Sequence, residues 1–523
     1  MNDVRGGEAL RPREHSIVYP NVEDGLVVGR RGVNRTYHTD VVVIGSGAGG
    51  ATAAARLRDA GYEVLILEEG GLHRTETFHT DPIASAQRLY RDAGTSPIVG
   101  KPPMLFAEGR CVGGSTVING GMSWRTPERV LEHWSRDLGL ERTDPRAMAP
   151  YFDQAERILN VEFQNEDTLG ANDRLFVEGA KRLGWEVKDN PRNVARCMGL
   201  NNCAYGCSTG AKRSMLVTEI PRALAAGARL VTNARVWRLV FEQGKAAAVR
   251  GRYVDDYGRR YGRFEVRAKL FVLAAGARFT PAILKRSFVR TRGVGRHLHT
   301  HPNAKVVGVF DQRIDPWRGA HQAHQIHQFL AEGVLLAYTA VPPGLLATGI
   351  PGFGRAHGDR MRLYNHMLTA GCLIEDDGEG RVTLGPDLQP VMRFNIDGDD
   401  AEKIHHGVRL LAELMFAVGA RKVLLPFGGL PEIASPDDLG KIDARKRVYH
   451  DVELMTVHIM SSCRMGADVS RGPVDAYARL HDVPNVVVAD ASAIPSSIGV
   501  NPMETIVALA LRNADRWAET LHR

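Results

Sequence analysis

"DVVVIGSGAGGATAAARLRDAGYEVLILEEGG" runs from residue 40 to residue 71. Val41 to Ile44 form a continuous β-branched run, which suits a strand buried on both faces. Gly45, Gly47 and Gly50 follow as G-x-G-x-x-G, and "ATAAARLRDAG" then offers helix formers ending in Gly61. "EVLILEE" reads as a second strand, with Glu68 at its end. Strand, glycine turn, helix, strand and terminal acid together predict a Rossmann-type α/β unit that binds a dinucleotide. The glycines let the backbone approach a pyrophosphate at a helix N-terminus, and Glu68 is placed for ribose hydroxyls. A lone glycine triplet would be a weak signal; the flanking elements carry the reading. The motif does not by itself separate NAD from FAD, although the alanine-rich helix and "LEEGG" lean toward FAD.

Outward from this unit, length and composition set bounds. A chain of 523 residues exceeds one simple core, so two domains or one domain with an insertion is expected. Its 44% hydrophobic and 24% charged content are those of a soluble globular protein. The net charge of +7 is interspersed, with no long basic run, which argues against a nucleic-acid partner. Peripheral attraction to an anionic membrane surface or an acidic partner is the better use of that balance. No apolar run reaches the roughly 18 residues of a transmembrane span. The start, "MNDVRGGEALRPREH", lacks the hydrophobic core of a secretory signal, so a cytoplasmic protein is expected. In that compartment six cysteines read as thiols or ligands rather than disulfides.

Two further stretches carry chemistry. "EGRCVGGSTVINGGMSWR" (108–125) is a second glycine-rich loop. Near the C-terminus, "NVVVAD" reads as a short buried strand ending in Asp490, "SSIGVNPM" as a tight turn, and "ETIVALALRNADRW" as an amphipathic helix starting near Pro502. A turn between a strand end and a helix start is where α/β sheets bind ligands. His458 and Asn501 flank this unit. Histidine suits a proton acceptor, and an asparagine NH₂ can hold an oxygen.

Together these stretches resemble the glucose-methanol-choline family of FAD-dependent alcohol oxidoreductases. The match rests on Gly113, Gly114, Ser115, Thr116 and Asn119, on "HIMSSCRMG" (458–466) and on the closing segment 485–517. "ARVWRLVFE" (234–242), "KLFVLAAGARFTPAILKRS" (269–287) and "VGRHLHTHP" (294–302) fill the middle. The resemblance implies a Rossmann-type FAD domain joined to a discontinuous α+β substrate domain on an antiparallel sheet. FAD would take segments 38–135, 225–305 and 450–523, and substrate would take 136–224 and 306–449, after an extension at 1–37. It implies flavin contacts at Gly45, Gly47, Gly50, Glu68, Gly113, Gly114, Ser115, Asn119, Val236, Asp490, Asn501, Pro502 and Met503. Ile118 stands where some members carry a flavin-bonding histidine, so FAD is expected to be non-covalent. It also implies that His458 and Asn501 are the catalytic pair, removing hydride from an alcohol substrate.

The stretch "GAHQAHQIHQFLAEGVLLAYTAVPPGLLATGIPGFG" (319–354) falls where members build the pocket wall. Its mostly apolar run resembles the long-chain alcohol oxidase branch and points to a fatty, terpenoid or sterol alcohol. His321, His324 and His327 read more simply as a polar loop or strand than as a metal site. Cys197, Cys203 and Cys207 lie within "CMGLNNCAYGCSTGAK" (197–212). The loop resembles one in bacterial FAD-dependent sugar dehydrogenases, where three cysteines hold a 3Fe-4S cluster. An iron–sulfur cluster passing electrons to a protein or quinone acceptor, packing thiols and zinc all stay open. So do a sugar dehydrogenase, an oxygen-using oxidase without a cluster, an electron-transfer module and a non-redox lyase with structural FAD.

Overall fold

The computed structural model describes residues 26–28, 34–340, 342–445 and 451–521. Most of the expected N-terminal extension lies outside these residues.

Six short apolar runs form a parallel sheet in the order Leu26–Val28, Arg229–Thr232, Val64–Leu67, Val41–Ile44, Leu270–Leu273 and Val486–Val488. Val41–Ile44, Val64–Leu67 and Leu270–Leu273 are buried at every position, as a sheet covered on both faces requires. The helix Ala48–Asp59 crosses between the first two of these runs. Against it lies the C-terminal helix Met503–Leu521, held by an Arg56–Asp515 ion pair of 2.5 Å. Gly49 lets the first helix sit against the end of Val486–Val488, because a Cβ there would stand 1.7 Å from the Ala489 carbonyl oxygen, and against the C-terminal helix, whose Ile506 Cγ2 would lie at 3.1 Å. Beside this layer sits a four-stranded sheet of Ala234–Glu242, Lys245–Val254, Arg260–Arg267 and Asn34–His38.

Among the described residues a third sheet gathers thirteen strands, most of them antiparallel. Its central ladder runs Asn303–Val309, Met367–Ile374, Val334–Tyr338 and His324–Ile326. The helix Gly398–Ala417 covers one face. It approaches so closely that a Cβ on Gly407 would lie 2.6 Å from Cys372 Cβ. The sheet also takes in Ser96–Val99, Met104–Phe106 and Leu454–Thr456. Each of the segments 38–135, 225–305 and 450–523 thus contributes strands both to the parallel sheet and to the thirteen-stranded one. Among the described residues no helix is long and apolar enough to cross a membrane.

Candidate active site

One cavity of about 1490 Å³ joins the two layers. This exceeds the volume of an ordinary single-ligand site and has room for a cofactor and a substrate together. Its floor begins at the glycine turn. Gly45 has φ +107°, and a Cβ there would meet the Ala274 carbonyl oxygen at 2.1 Å. Gly50 packs against the Gly45 carbonyl oxygen, where a Cβ would also come to 2.1 Å, and does not line the cavity. Gly47 differs from both: it lines the cavity, and a Cβ on it would meet nothing within 4 Å. The open space lies over the start of Ala48–Asp59, where free N–H groups favour phosphate.

Glu68 is buried at the end of its strand. Ser46 donates to its Oε2 from N and Oγ at 3.0 and 2.7 Å, and Gly70 N donates to its Oε1 at 2.8 Å. Burial still pushes its carboxyl above the ordinary range. A carboxylate offers about four acceptor sites, so one remains for a ribose hydroxyl. Gly113 sits behind this wall and donates its N–H to Ser46 Oγ at 3.0 Å. Gly114, Ser115, Asn119, Val236, Pro502 and Met503 line the cavity itself. So does Asp490, but all its acceptor sites are engaged. Gly276 N and Thr280 Oγ1 donate to Oδ2 at 2.9 and 2.5 Å, and Ser492 N and Oγ donate to Oδ1 at 2.8 and 2.5 Å. Asp490 therefore positions the two turns beside the cofactor space rather than holding a ligand. Asn119 Nδ2 touches Met503 Sδ at 3.0 Å, leaving buried Asn119 Oδ1 without a partner. An open glycine turn, an acid with one acceptor site left and an orphaned amide oxygen in one cavity fit FAD.

At the far side of that space, His458 Nε2 and Asn501 Nδ2 are 3.4 Å apart. The two residues come from separate stretches, and both line the cavity. A third side chain joins them: His301 Nδ1 is 3.2 Å from His458 Nδ1, with the rings nearly perpendicular. Gly499 N and Ile498 N donate to His301 Nε2 at 3.1 and 3.4 Å. These donors assign the His301 proton to Nδ1, which donates it to His458 Nδ1. His458 then carries its own proton on Nε2, toward the cavity. Burial, with His301 second, holds its pKa well below the ordinary histidine value, so the ring is neutral at neutral pH. Asp376 fixes this arrangement from behind. It accepts from Thr300 N, His301 N, His299 Nδ1 and Ser497 Oγ, and its carboxyl is pulled down to about 2 against burial by the bond to His299. Neither His301 nor Asp376 stood out in the sequence. "VGRHLHTHP" holds three histidines, and nothing local says which one reaches a residue 157 positions away.

The cysteine loop corrects one expectation. Among the described residues no group of three or more His, Cys, Asp or Glu could hold a metal ion, and Cys197, Cys203 and Cys207 are no exception. The Cys203 and Cys207 thiols turn to separate partners. Cys203 Sγ accepts from Arg192 Nη2 at 3.5 Å, and Cys207 Sγ accepts from Lys212 N at 3.3 Å. A 3Fe-4S cluster does not fit this donor set. The loop is organised by Lys212 instead, whose buried Nζ donates to the carbonyl oxygens of Val117, Asn119 and Cys203 at 2.8, 2.7 and 2.7 Å. It thus staples the loop to the segment carrying Ile118 and Asn119. The three nearby histidines also separate. His324 bonds to Asp173, His327 lies 4.4 Å from the Trp124 ring, and His321 lines the cavity.

A Rossmann unit opening into a cavity that carries a histidine–asparagine pair on its wall is the arrangement of a flavin-dependent oxidoreductase. The chain matches the family model described as GMC oxidoreductase over residues 86–303 and 376–510, and that of an FAD binding domain over 40–80. It is 35% identical over 509 residues to an uncharacterized GMC-type oxidoreductase of Mycobacterium tuberculosis, covering 97% of this chain and 80% of that protein. A long-chain-alcohol oxidase of Arabidopsis thaliana is 25% identical over 564 residues, covering 98% of this chain and 73% of its own. Pyridoxine 4-oxidase from Mesorbium loti shares the fold, with a TM-score of 0.69 at 20% identity over 92% of this chain and 99% of that one. This protein belongs to the GMC oxidoreductase family, as an FAD-dependent enzyme acting on CH–OH donors.

Proposed function

We propose that the protein oxidises a hydrophobic alcohol to an aldehyde or ketone. The supporting observation is the cavity beyond His458 and Asn501. Its walls include Leu335, Ala337, Leu346 and Leu373, mostly from the apolar stretch read in the sequence. The likeness to a long-chain-alcohol oxidase points the same way.

In this reading the alcohol oxygen lies against Asn501 Nδ2 and His458 Nε2. Bound FAD supplies the acceptor for the hydride that leaves the carbinol carbon. The O–H bond breaks as C=O forms, and His458 Nε2 takes the proton. That step needs the His458 tautomer with its proton on Nδ1, which the resting His301 contact opposes. His301 is thus a positioning residue that sets how readily His458 accepts a proton. No step requires an iron–sulfur cluster; FAD held here would pass the electron pair on to an external acceptor such as oxygen.

Anaerobic mixing of the FAD-loaded enzyme with decanol, hexadecanol, a sterol and glucose tests the substrate class. Bleaching of the flavin by the long alkanols and not by glucose is expected. Bleaching by glucose alone would transfer the protein to the sugar dehydrogenases, and no bleaching by any alcohol would favour a lyase with structural FAD. On readmission of oxygen, hydrogen peroxide should form; its absence, with turnover restored by a quinone, would overturn the choice of oxygen.

A further inference from the structure

The strand Asn303–Val309 leaves the catalytic centre two residues after His301 and forms part of the cavity wall. Its first four residues alternate. Asn303 and Lys305 face the cavity, whereas Ala304 and Val306 are fully buried. Lys305 lies four residues beyond His301, with the last two steps in the strand at about 3.3 Å per residue. No described residue forms a hydrogen bond or an ion pair with its ammonium group. Of the cavity's carboxylates, Glu68, Glu69 and Asp490 lie at the nucleotide end, Glu108 pairs with Arg91 and Arg278, Asp451 pairs with Arg445, and Glu453, which burial pushes toward its neutral form, makes no hydrogen bond or ion pair with Lys305.

The residues across the sheet leave space in front of this cation. Lys305 pairs with Gly371, Gly371 with Ala337, and Ala337 with Gln325, and all four line the cavity. The Asn303 amide lies over Gly371, where a Cβ would meet its Oδ1 at 2.7 Å, and the small Ala337 keeps the wall low between there and Gln325. The adjoining row toward His458 carries Leu373 and Leu335, which are paired in register and bulky. A ligand lying along this wall meets an apolar stretch and then an isolated positive charge. Burial pulls the Lys305 amine down to about 8, so it is mostly protonated at neutral pH without a protein counter-ion. A buried unpaired charge is costly, and an incoming anion relieves that cost.

We propose that Lys305 receives the carboxylate of the substrate, so that the preferred alcohol is a hydroxy acid with its hydroxyl at His458 and Asn501 and its carboxylate at Lys305. This rests on the alcohol oxidation proposed above and names its substrate class. The chain between the two groups would lie on Leu335 and Leu373, and the strand would act as a ruler for its length.

Matched pairs of ω-hydroxy acid and alkanol with hexanoyl, decanoyl and hexadecanoyl lengths test this by anaerobic flavin reduction. In the wild type, one length of hydroxy acid should exceed its alkanol at least tenfold in kcat/KM. Lys305→Met should lose roughly 10- to 100-fold toward the hydroxy acid, the range of a charge-assisted hydrogen bond, through KM with kcat kept. Its rates with the alkanols should hold or rise, and Lys305→Arg should restore the preference. Equal losses for acid and alkanol, or a wild type without preference at any length, would overturn the proposal. Should no alcohol reduce the flavin, the oxidation reading fails separately, and decanoate binding, read from the flavin spectrum, decides on Lys305. Tighter binding by wild type than by Lys305→Met supports the site, and equal affinity sinks it.

Discussion

His458 is useful as a proton acceptor only while neutral, and two features keep it so: burial and the neighbouring His301. The wild-type rate of flavin reduction should therefore stay flat as pH falls from about 8 to about 6. His301→Asn relaxes both influences and keeps a residue type tolerant of the left-handed backbone at this position, where φ is +50°. The His458 pKa should then rise, moving the acid limb of the profile up to between about pH 6 and pH 7. An unchanged profile would remove His301 from the mechanism. His458→Ala should retain FAD but slow reduction by roughly 10²–10⁴-fold. His458→Gln, which keeps a donor but no base, should be equally slow; near-normal reduction by it would mean that His458 serves only to hold the oxygen.

The glycine turn shows how one short element divides its labour. Gly45 and Gly50 serve the packing of helix on strand, while Gly47 faces the space over the helix N-terminus. Gly47→Ala should therefore fold with a normal melting temperature and bind FAD at least tenfold more weakly, a loss of about 1.4 kcal/mol or more. Gly50→Ala should lose about 3 kcal/mol of stability, because its Cβ would enter the Gly45 carbonyl. Equal effects of the two on folding, read by thermal denaturation, would contradict this division. The cysteine loop makes a similar point. Its thiols drew notice as ligands, but the ammonium group of Lys212, bonded to three carbonyl oxygens, holds the element.

Across the whole molecule, FAD must be held by segments scattered from residue 44 to residue 506 that meet only in the fold. Ile118 lines this space and offers no nucleophilic atom, so the flavin should be bound without a covalent link. Acid precipitation should release all the yellow colour into the supernatant; flavin left on the pellet would disprove this. Protein purified without oxygen should contain no stoichiometric iron, as the separated thiols require. Iron and sulfide near three per chain would show that the loop rearranges to hold a cluster.

The Rossmann unit and the second glycine loop were legible in the sequence, because each is set by residues a few positions apart, whereas His458 and Asn501, 43 positions apart, were singled out through the family resemblance. A strand period, a glycine at a tight turn or an acid at a strand end is local physics. The apolar pocket wall was legible for the same reason, as a long run of one composition. The His301 contact, the saturation of Asp490, the parting of the three thiols and the isolation of Lys305 are facts about partners. They depend on which distant groups arrive, at which angle, and on what is left without a counter-charge. Hydrogen bonds and ion pairs are decided within about 3 Å. Only the pairing of distant strands within one sheet brings residues 301 and 458 that near, and leaves residue 305 without a salt-bridge partner.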